Sequence, residues 1–358
     1  MKKIAIIIPS LRGGGAEKVM LTIATYLNKT EFQVKLFVIN KEGPYIKRVP
    51  EDLEIIDLKS KRVRYSIPKL INELNNYYPD IIFSTLGHLN LVLLSIRWLL
   101  KGAPRIFVRE ANTPSLSLTK HSKVRRRIVK FLYRRLYPSA DGVIAQCKEM
   151  KDDIINTFNI TGKNITYIYN PVDINEIIKK STEFNPYNSE NKNILAVGRL
   201  TYQKGFDNLI SAFEKVVKIV PEARLTILGE GELKESLLAQ INEINLSHKI
   251  DIVSFKDNPY PYYKYADLYV LSSRWEGFPN TLLESLTCET PIVSTECKSG
   301  PREILNGGDY GALVDVESIE QLEDAIINTL TQKTKKSISR AYTFDIKKII
   351  KKYSKLFN

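Results

Sequence analysis

Two carboxylates stand eight positions apart in the run Arg274-Trp275-Glu276-Gly277-Phe278-Pro279-Asn280-Thr281-Leu282-Leu283-Glu284-Ser285. Pro279, between them, suits the first turn of a helix, where its missing N–H would have had no partner. Glu276 is therefore expected on a loop and Glu284 inside the helix that follows. Unpaired N–H groups at such a helix start attract anions, and two acids beside it can hold hydroxyls of the molecule that carries the anion. A sugar nucleotide offers both groups. Taken alone, the pair also fits two solvated acids near a helix start.

A basic element upstream gives the pair its chemical meaning. Residues 193–210 read as a buried strand, then Gly198 and Arg199, then Lys204-Gly205 opening a helix. A guanidinium fork and a compact ammonium are suited to grip phosphate oxygens, and together they neutralise a diphosphate. By itself this spacing is equally that of a solvated basic loop. It gains force from the two-acid segment 72 residues after Lys204, in the same run of alternating strands and helices.

Other candidate sites are less complete. Gly13-Gly14-Gly15-Ala16-Glu17-Lys18 follows the first strand and opens a helix, but it lacks the third glycine of a dinucleotide fingerprint and no Gly-Lys-Ser/Thr follows. The second strand ends at Asn40, where a nicotinamide cofactor needs an acid. Hydride transfer and P-loop chemistry are thereby excluded, leaving glycine backbone that a ligand can approach closely. His88 follows a strand and a Gly87 turn, at the end of a parallel strand where α/β ligands gather, although a lone histidine is as often structural. No Asp-x-Asp metal motif occurs, and Cys147, Cys288 and Cys297 lack the spacing of a disulfide framework or a zinc site. No cofactor and no metal are expected.

The elements that must position these residues form a double α/β repeat. Strands are expected at 3–9, 33–40, 54–57, 81–84, 105–109, 142–145 and 165–169, and again at 194–197, 224–228, 250–253, 268–272, 292–294 and 311–314, with helices between most of them. Alternation of this kind specifies parallel sheets covered on both faces. A length of 358 residues exceeds one core, and 43% hydrophobic content is enough for two. The polar, Asn-rich stretch 174–193 reads as the linker.

Along nearly its whole length the chain resembles the retaining glycosyltransferases of family 4. The matching pieces are Gly13 to Glu17, Asn170-Pro171-Val172-Asp173, Gly198-Arg199 with Lys204-Gly205, Leu228-Gly229-Glu230-Gly231, the Glu276 to Glu284 segment and Ser299-Gly300-Pro301-Arg302-Glu303. The resemblance implies an α/β GT-B fold of two Rossmann-like, doubly wound parallel-sheet domains facing across a cleft. An acceptor domain would span 1–175 and a donor domain 190–335, with a C-terminal helix in 336–358 crossing back to the first. It further implies Arg199 and Lys204 on the donor diphosphate, Glu284 on the ribose and Glu276 on the transferred sugar. Gly277, Phe278, Asn280, Thr281 and Leu282 would line the donor site, while Gly14 and Gly15 would touch the donor phosphate or the acceptor. Many relatives carry a histidine near the reacting carbon where this chain has Arg109 and Glu110, so that role falls to Arg109, Glu110 or His88.

The implied activity is metal-free, retaining transfer of a hexose or N-acetylhexosamine from a UDP-linked sugar to a lipid-linked or polysaccharide acceptor, as in O-antigen or capsule biosynthesis. A non-catalytic relative that binds nucleotide sugar or a polyanion, and a sugar-nucleotide epimerase, are the alternatives. Intact Arg199, Lys204, Glu276 and Glu284 favour the transferase. A glycosidase pair is not indicated, since eight positions in sequence give no warrant for the separation two such carboxylates need.

Charge points to the surroundings of the reaction. The net charge is +13, and residues 1–175 carry 29 Lys and Arg against 15 Asp and Glu, whereas 176–358 carry 24 against 25. The densest patch, 120–137, puts Val124, Ile128, Phe131, Leu132 and Leu136 along one helical face among basic side chains. Basic amphipathic helices of this kind bind anionic membrane surfaces, while a docked helix with a solvated basic side is the alternative. Nucleic acid is not expected, since no aromatic-interleaved or finger motif accompanies the patch. A second basic stretch near the C-terminus interleaves lysines with apolar Ile346, Ile349, Ile350, Tyr353 and Leu356. No secretory leader is expected at the N-terminus, and the apolar run 89–100 is too short to span a bilayer. The expected location is cytoplasmic, at the inner face of the plasma membrane.

Overall fold

The computed structural model describes residues 1–28, 31–119, 122–188, 190–332 and 338–358. Contacts divide the chain into two units, Met1–Pro171 with Lys347–Asn358, and Val172–Ile346. The first holds a seven-stranded sheet in the order β3-β2-β1-β4-β5-β6-β7. Its strands are β1 Lys2–Ile8, β2 Phe32–Val38, β3 Glu54–Asp57, β4 Ile81–Thr85, β5 Arg105–Arg109, β6 Gly142–Ala145 and β7 Ile165–Tyr167. The second holds six strands in the order β10-β9-β8-β11-β12-β13. These are β8 Lys192–Val197, β9 Ala223–Leu228, β10 Ile250–Val253, β11 Leu268–Leu271, β12 Ile292–Thr295 and β13 Ala312–Val314.

Every strand pairing is parallel. The central strands are runs of Ile, Leu, Val and Ala buried on both faces, as helices on either side require. In each unit the strand order reverses between two neighbours, β1 and β4 in the first and β8 and β11 in the second. The crevice beyond the carboxyl ends of such a pair is where ligands of open α/β sheets bind. The Gly13 to Gly15 loop and His88 follow β1 and β4, while Gly198 to Lys204 and Ser272 to Glu276 follow β8 and β11.

Three local readings change. The stretch 174–193, expected as a linker, begins with a helix, Ile174–Ser181, because the Asp173 carboxylate accepts from the Glu176 N–H at 2.9 Å and Lys180 pairs with Glu176. In the last helix, Ile346–Phe357, the buried face is Ile346, Ile349, Ile350, Tyr353 and Phe357 rather than Leu356. Phe357 packs edge-on against Phe83 and Phe107 at ring-centroid distances of 5.4 and 5.0 Å, so this helix is part of the first unit's core.

The third concerns the basic helix, Lys123–Leu136; Lys120 and His121, in the patch read from sequence, lie outside the described residues. Its apolar stripe does not dock: Val124, Ile128 and Phe131 are 68%, 54% and 61% exposed. The helix is instead anchored by Tyr133 and Tyr137, with Tyr133 stacked on Phe158 at 4.0 Å. Among the described residues, no helix is long and apolar enough to cross a membrane.

Candidate active site

The second unit assembles its site from the two loops at the β8–β11 reversal. After β8 the chain turns through Tyr202–Lys204 into Gly205, whose φ of +62° and position suit only glycine, since a Cβ there would meet the Ser272 carbonyl oxygen at 2.2 Å. Lys204 then lies back across Gly198, where a Cβ would stand 3.0 to 3.2 Å from its methylenes. The lysine stem is thus laid over bare backbone. Its ammonium donates to Glu276 Oε1 at 2.5 Å, and the Ser273 hydroxyl donates to the same oxygen at 2.6 Å. Both charged side chains are largely buried, 16% and 8% exposed. Cys297 lies close by, its thiol pushed up by burial first and by the Glu276 charge second. Arg199, between Gly198 and the turn that carries Lys204, is exposed.

The helix after this loop spans Asn280–Thr287 with Pro279 as its N-cap, which leaves Glu276 on the loop and puts Glu284 in the second turn. Glu284 is buried against the Tyr263 hydroxyl and the Cys288 thiol. Burial, then the Glu284 charge, pushes Cys288 up to about 12. Tyr269 lies within the field of both Glu276 and Glu284, so the fold brings the two carboxylates to one neighbour. Phe278, against Phe344 at 5.7 Å, and fully buried Leu282 have side chains committed to the interior. Any ligand contact they make is through backbone. Gly277 is buried, and Asn280 and Thr281 are half-buried at the helix start. Among the described residues no cluster of three His, Cys, Asp or Glu side chains is arranged to hold a metal ion.

In the first unit, Gly14 is the N-cap of the Gly15–Leu27 helix. The Glu17 carboxylate, which accepts from Ser10 at 3.1 Å, folds beside Gly14 so closely that a Cβ there would meet it at 2.0 Å. His88 is exposed in the first turn of the Gly87–Ser95 helix, and desolvation lowers its pKa. Arg109 and Glu110 are interior groups, 1% and 5% exposed. Arg109 donates to Asn170 and faces Tyr353. Glu110 accepts from Tyr137 and from Asn90, and Asn90 is held in turn by Ser84 at 2.7 Å. Burial pushes the Glu110 carboxyl up to about 7, against the pull of its hydrogen bonds from Tyr137, Asn90 and Tyr133. Of the three side chains considered for the reacting carbon, His88 alone is presented to solvent.

Sequence reasoning passed over Ser273, Gln203, Asp207 and Arg274, which bind the two loops together. Arg274 was visible as the first residue of the two-acid run, but its partners lie 67 and 43 positions away and could not be read from spacing.

Comparison with known proteins matches residues 13–176 to the model "Glycosyltransferase Family 4" and residues 177–343 to "Glycosyl transferases group 1". A Campylobacter jejuni protein described as N-acetylgalactosamine-N,N'-diacetylbacillosaminyl-diphospho-undecaprenol 4-alpha-N-acetylgalactosaminyltransferase is 32% identical over 98% of this chain and 97% of its own. The amylovoran biosynthesis glycosyltransferase AmsD of Erwinia amylovora is 27% identical over 95% and 94%. Among solved structures, Anabaena HepE in complex with UDP and glucose superposes with a TM-score of 0.82 at 19% identity, covering 99% of each chain. Two Rossmann-like parallel-sheet units, matched by both halves of the family and by full-length relatives, make this chain a member of the GT-B glycosyltransferases.

Proposed function

We propose that this glycosyltransferase moves a hexose or N-acetylhexosamine, with retention, from a UDP-sugar to a lipid-linked or polysaccharide acceptor at an anionic membrane face on the cytoplasmic side. The observation that carries the donor reading is the largely buried Lys204–Glu276 pair at the strand-order reversal of the second unit. Lys204 and Arg199 take the diphosphate, Glu276 the hydroxyls of the sugar, Glu284 the ribose, and the backbone of Gly277 to Leu282 lines the donor. Gly14 and Gly15 approach the phosphate or the acceptor, and His88 supplies the polar group near the reacting carbon. The anomeric C–O bond to phosphate breaks while the acceptor hydroxyl forms the new bond on the same face, and its proton passes to the departing phosphate oxygen. Two cations and helix-terminal N–H groups provide the charge stabilisation that makes a metal unnecessary.

The relatives support the substrate class. One is named for transfer to a diphospho-undecaprenol-linked glycan, another for a polysaccharide, and a protein of the same fold is bound to UDP and glucose. The membrane reading is supported by the exposed stripe Val124, Ile128 and Phe131 among exposed Arg125, Arg127, Lys130, Arg134 and Arg135. Just beyond this helix, the Ser139 carbonyl accepts from Arg97, the neighbour of 80%-exposed Trp98, a residue type favoured at lipid interfaces. The test is release of UDP from a panel of UDP-sugars, with and without polyprenyl-diphosphate-linked glycan. Acceptor-stimulated release from one UDP-hexose or UDP-N-acetylhexosamine is expected, and absence of release from every member would refute the reading.

A further inference from the structure

Beside the Lys204–Glu276 pair, Arg274 joins four separate segments of the second unit. Its Nη1 and Nη2 donate to the two oxygens of Asp207, each at 2.8 Å, and its Nε donates to Glu317 Oε1 at 2.8 Å. Nη1 also reaches the Tyr202 carbonyl at 2.8 Å, and the guanidinium lies 3.9 Å from the centroid of the Tyr202 ring. The side chain is 8% exposed. The backbone continues the tie, for the Arg274 N–H donates to the Gln203 carbonyl at 2.8 Å and the Gln203 amide returns to the Trp275 carbonyl at 2.8 Å. Ser272 closes onto the Lys204 carbonyl at 2.9 Å. Glu317 is held at φ 65°, a conformation a non-glycine residue keeps only where its surroundings over-determine it.

These contacts converge on the turn that carries Lys204 and on the loop that carries Glu276. We infer that Arg274 is a positioning residue that clamps the 202–205 turn and so fixes the Lys204 ammonium where the donor diphosphate binds, an inference that rests on the donor reading of Lys204. The planar fork is essential, because it meets a carboxylate with two bonds, a second acid with another and an aromatic face at once. Lysine, a point charge on a flexible stem, cannot make this set.

A double-mutant cycle on UDP affinity, measured by calorimetry on the full chain, separates positioning from general weakening, because residues that act through one another are not additive. Arg274→Ala should weaken UDP binding about tenfold in the presence of Lys204, and less than about twofold when Lys204→Ala has already removed the group being positioned. Arg274→Lys should stay within about threefold of Arg274→Ala, since charge without the fork does not clamp. If Arg274→Ala does not fold, Asp207→Asn, which leaves the fork without its bidentate partner, carries the same cycle. Equal losses in both backgrounds, or full rescue by Arg274→Lys, would overturn the inference while leaving the donor reading intact. If Lys204→Ala alone leaves UDP affinity unchanged, the donor reading fails and the inference falls with it.

Discussion

The Lys204 ammonium rests 2.5 Å from Glu276 Oε1 with both side chains largely buried. Removing one member of a buried pair leaves an uncompensated charge, at a cost of about 3–5 kcal/mol, whereas a ligand that supplies both a phosphate and a hydroxyl can replace each partner.

Lys204→Ala or Arg199→Ala should lower turnover by about 100- to 1,000-fold, the loss for one preorganised donor to developing negative charge. Steady-state kinetics on a UDP-sugar that the enzyme uses would check this. Losses under about tenfold would place both cations outside the reaction.

The two acids should separate kinetically. With Glu284 in its proposed role on the ribose, held in ground and transition states alike, Glu284→Gln should raise the donor KM more than it lowers kcat. Glu276→Gln should lower kcat more than it raises KM. Unchanged nucleoside diphosphate binding in Glu284→Ala would remove the ribose assignment.

Membrane binding should depend on both charge and the exposed stripe. Replacing Arg125, Arg126, Arg127, Arg134 and Arg135 by Gln should abolish co-sedimentation with anionic vesicles, and raising salt should weaken wild-type binding as screening shortens the reach of surface charge. Ile128→Ser with Phe131→Ser should weaken it with no change in charge. UDP affinity should be untouched in every case. Equal binding of the wild type to neutral and anionic vesicles would contradict the proposal.

Glu110 should make stability depend on pH. Its folded-state pKa of about 7 lies above the ordinary value of 4.5, chiefly through burial. Between these values the folded chain holds a proton that the unfolded chain has released, so stability is lost as pH rises from about 4.5 through about 7. Glu110→Gln should flatten this part of the profile, and the difference in Tm between wild type and variant, followed from pH 5 to 8, should shift against the wild type. A difference that is constant with pH would show that Glu110 does not titrate there.

Much of the fold was readable because most strands are short, mainly apolar runs bounded by polar or glycine turns, as at Lys2–Ile8 and Ile292–Thr295. The loops proposed to bind the donor were readable for a related reason, since Gly198, Gly205 and Pro279 are punctuation that local backbone geometry demands. What escaped depends on partners distant in sequence. Whether the stripe at Val124, Ile128 and Phe131 is docked or bare is decided by Tyr133 and Tyr137, which reach Asn90, Glu110 and Phe158. The same holds for Arg109 and Glu110, candidates for the group near the reacting carbon, whose side chains turn inward to Asn170 and Tyr137. The Arg274 clamp was hidden because Asp207 and Glu317 come from elsewhere in the unit.

The most direct test of the account is sugar transfer itself: a labelled UDP-N-acetylhexosamine or UDP-hexose, a polyprenyl-diphosphate-linked glycan, excess EDTA, and wild type beside Lys204→Ala and Glu276→Gln. Wild type is expected to extend the glycan by a sugar with its anomeric configuration retained, undiminished by EDTA, while both variants fall by about 100-fold or more. Transfer that vanishes with EDTA and returns with manganese, or variants that keep wild-type rates, would contradict it.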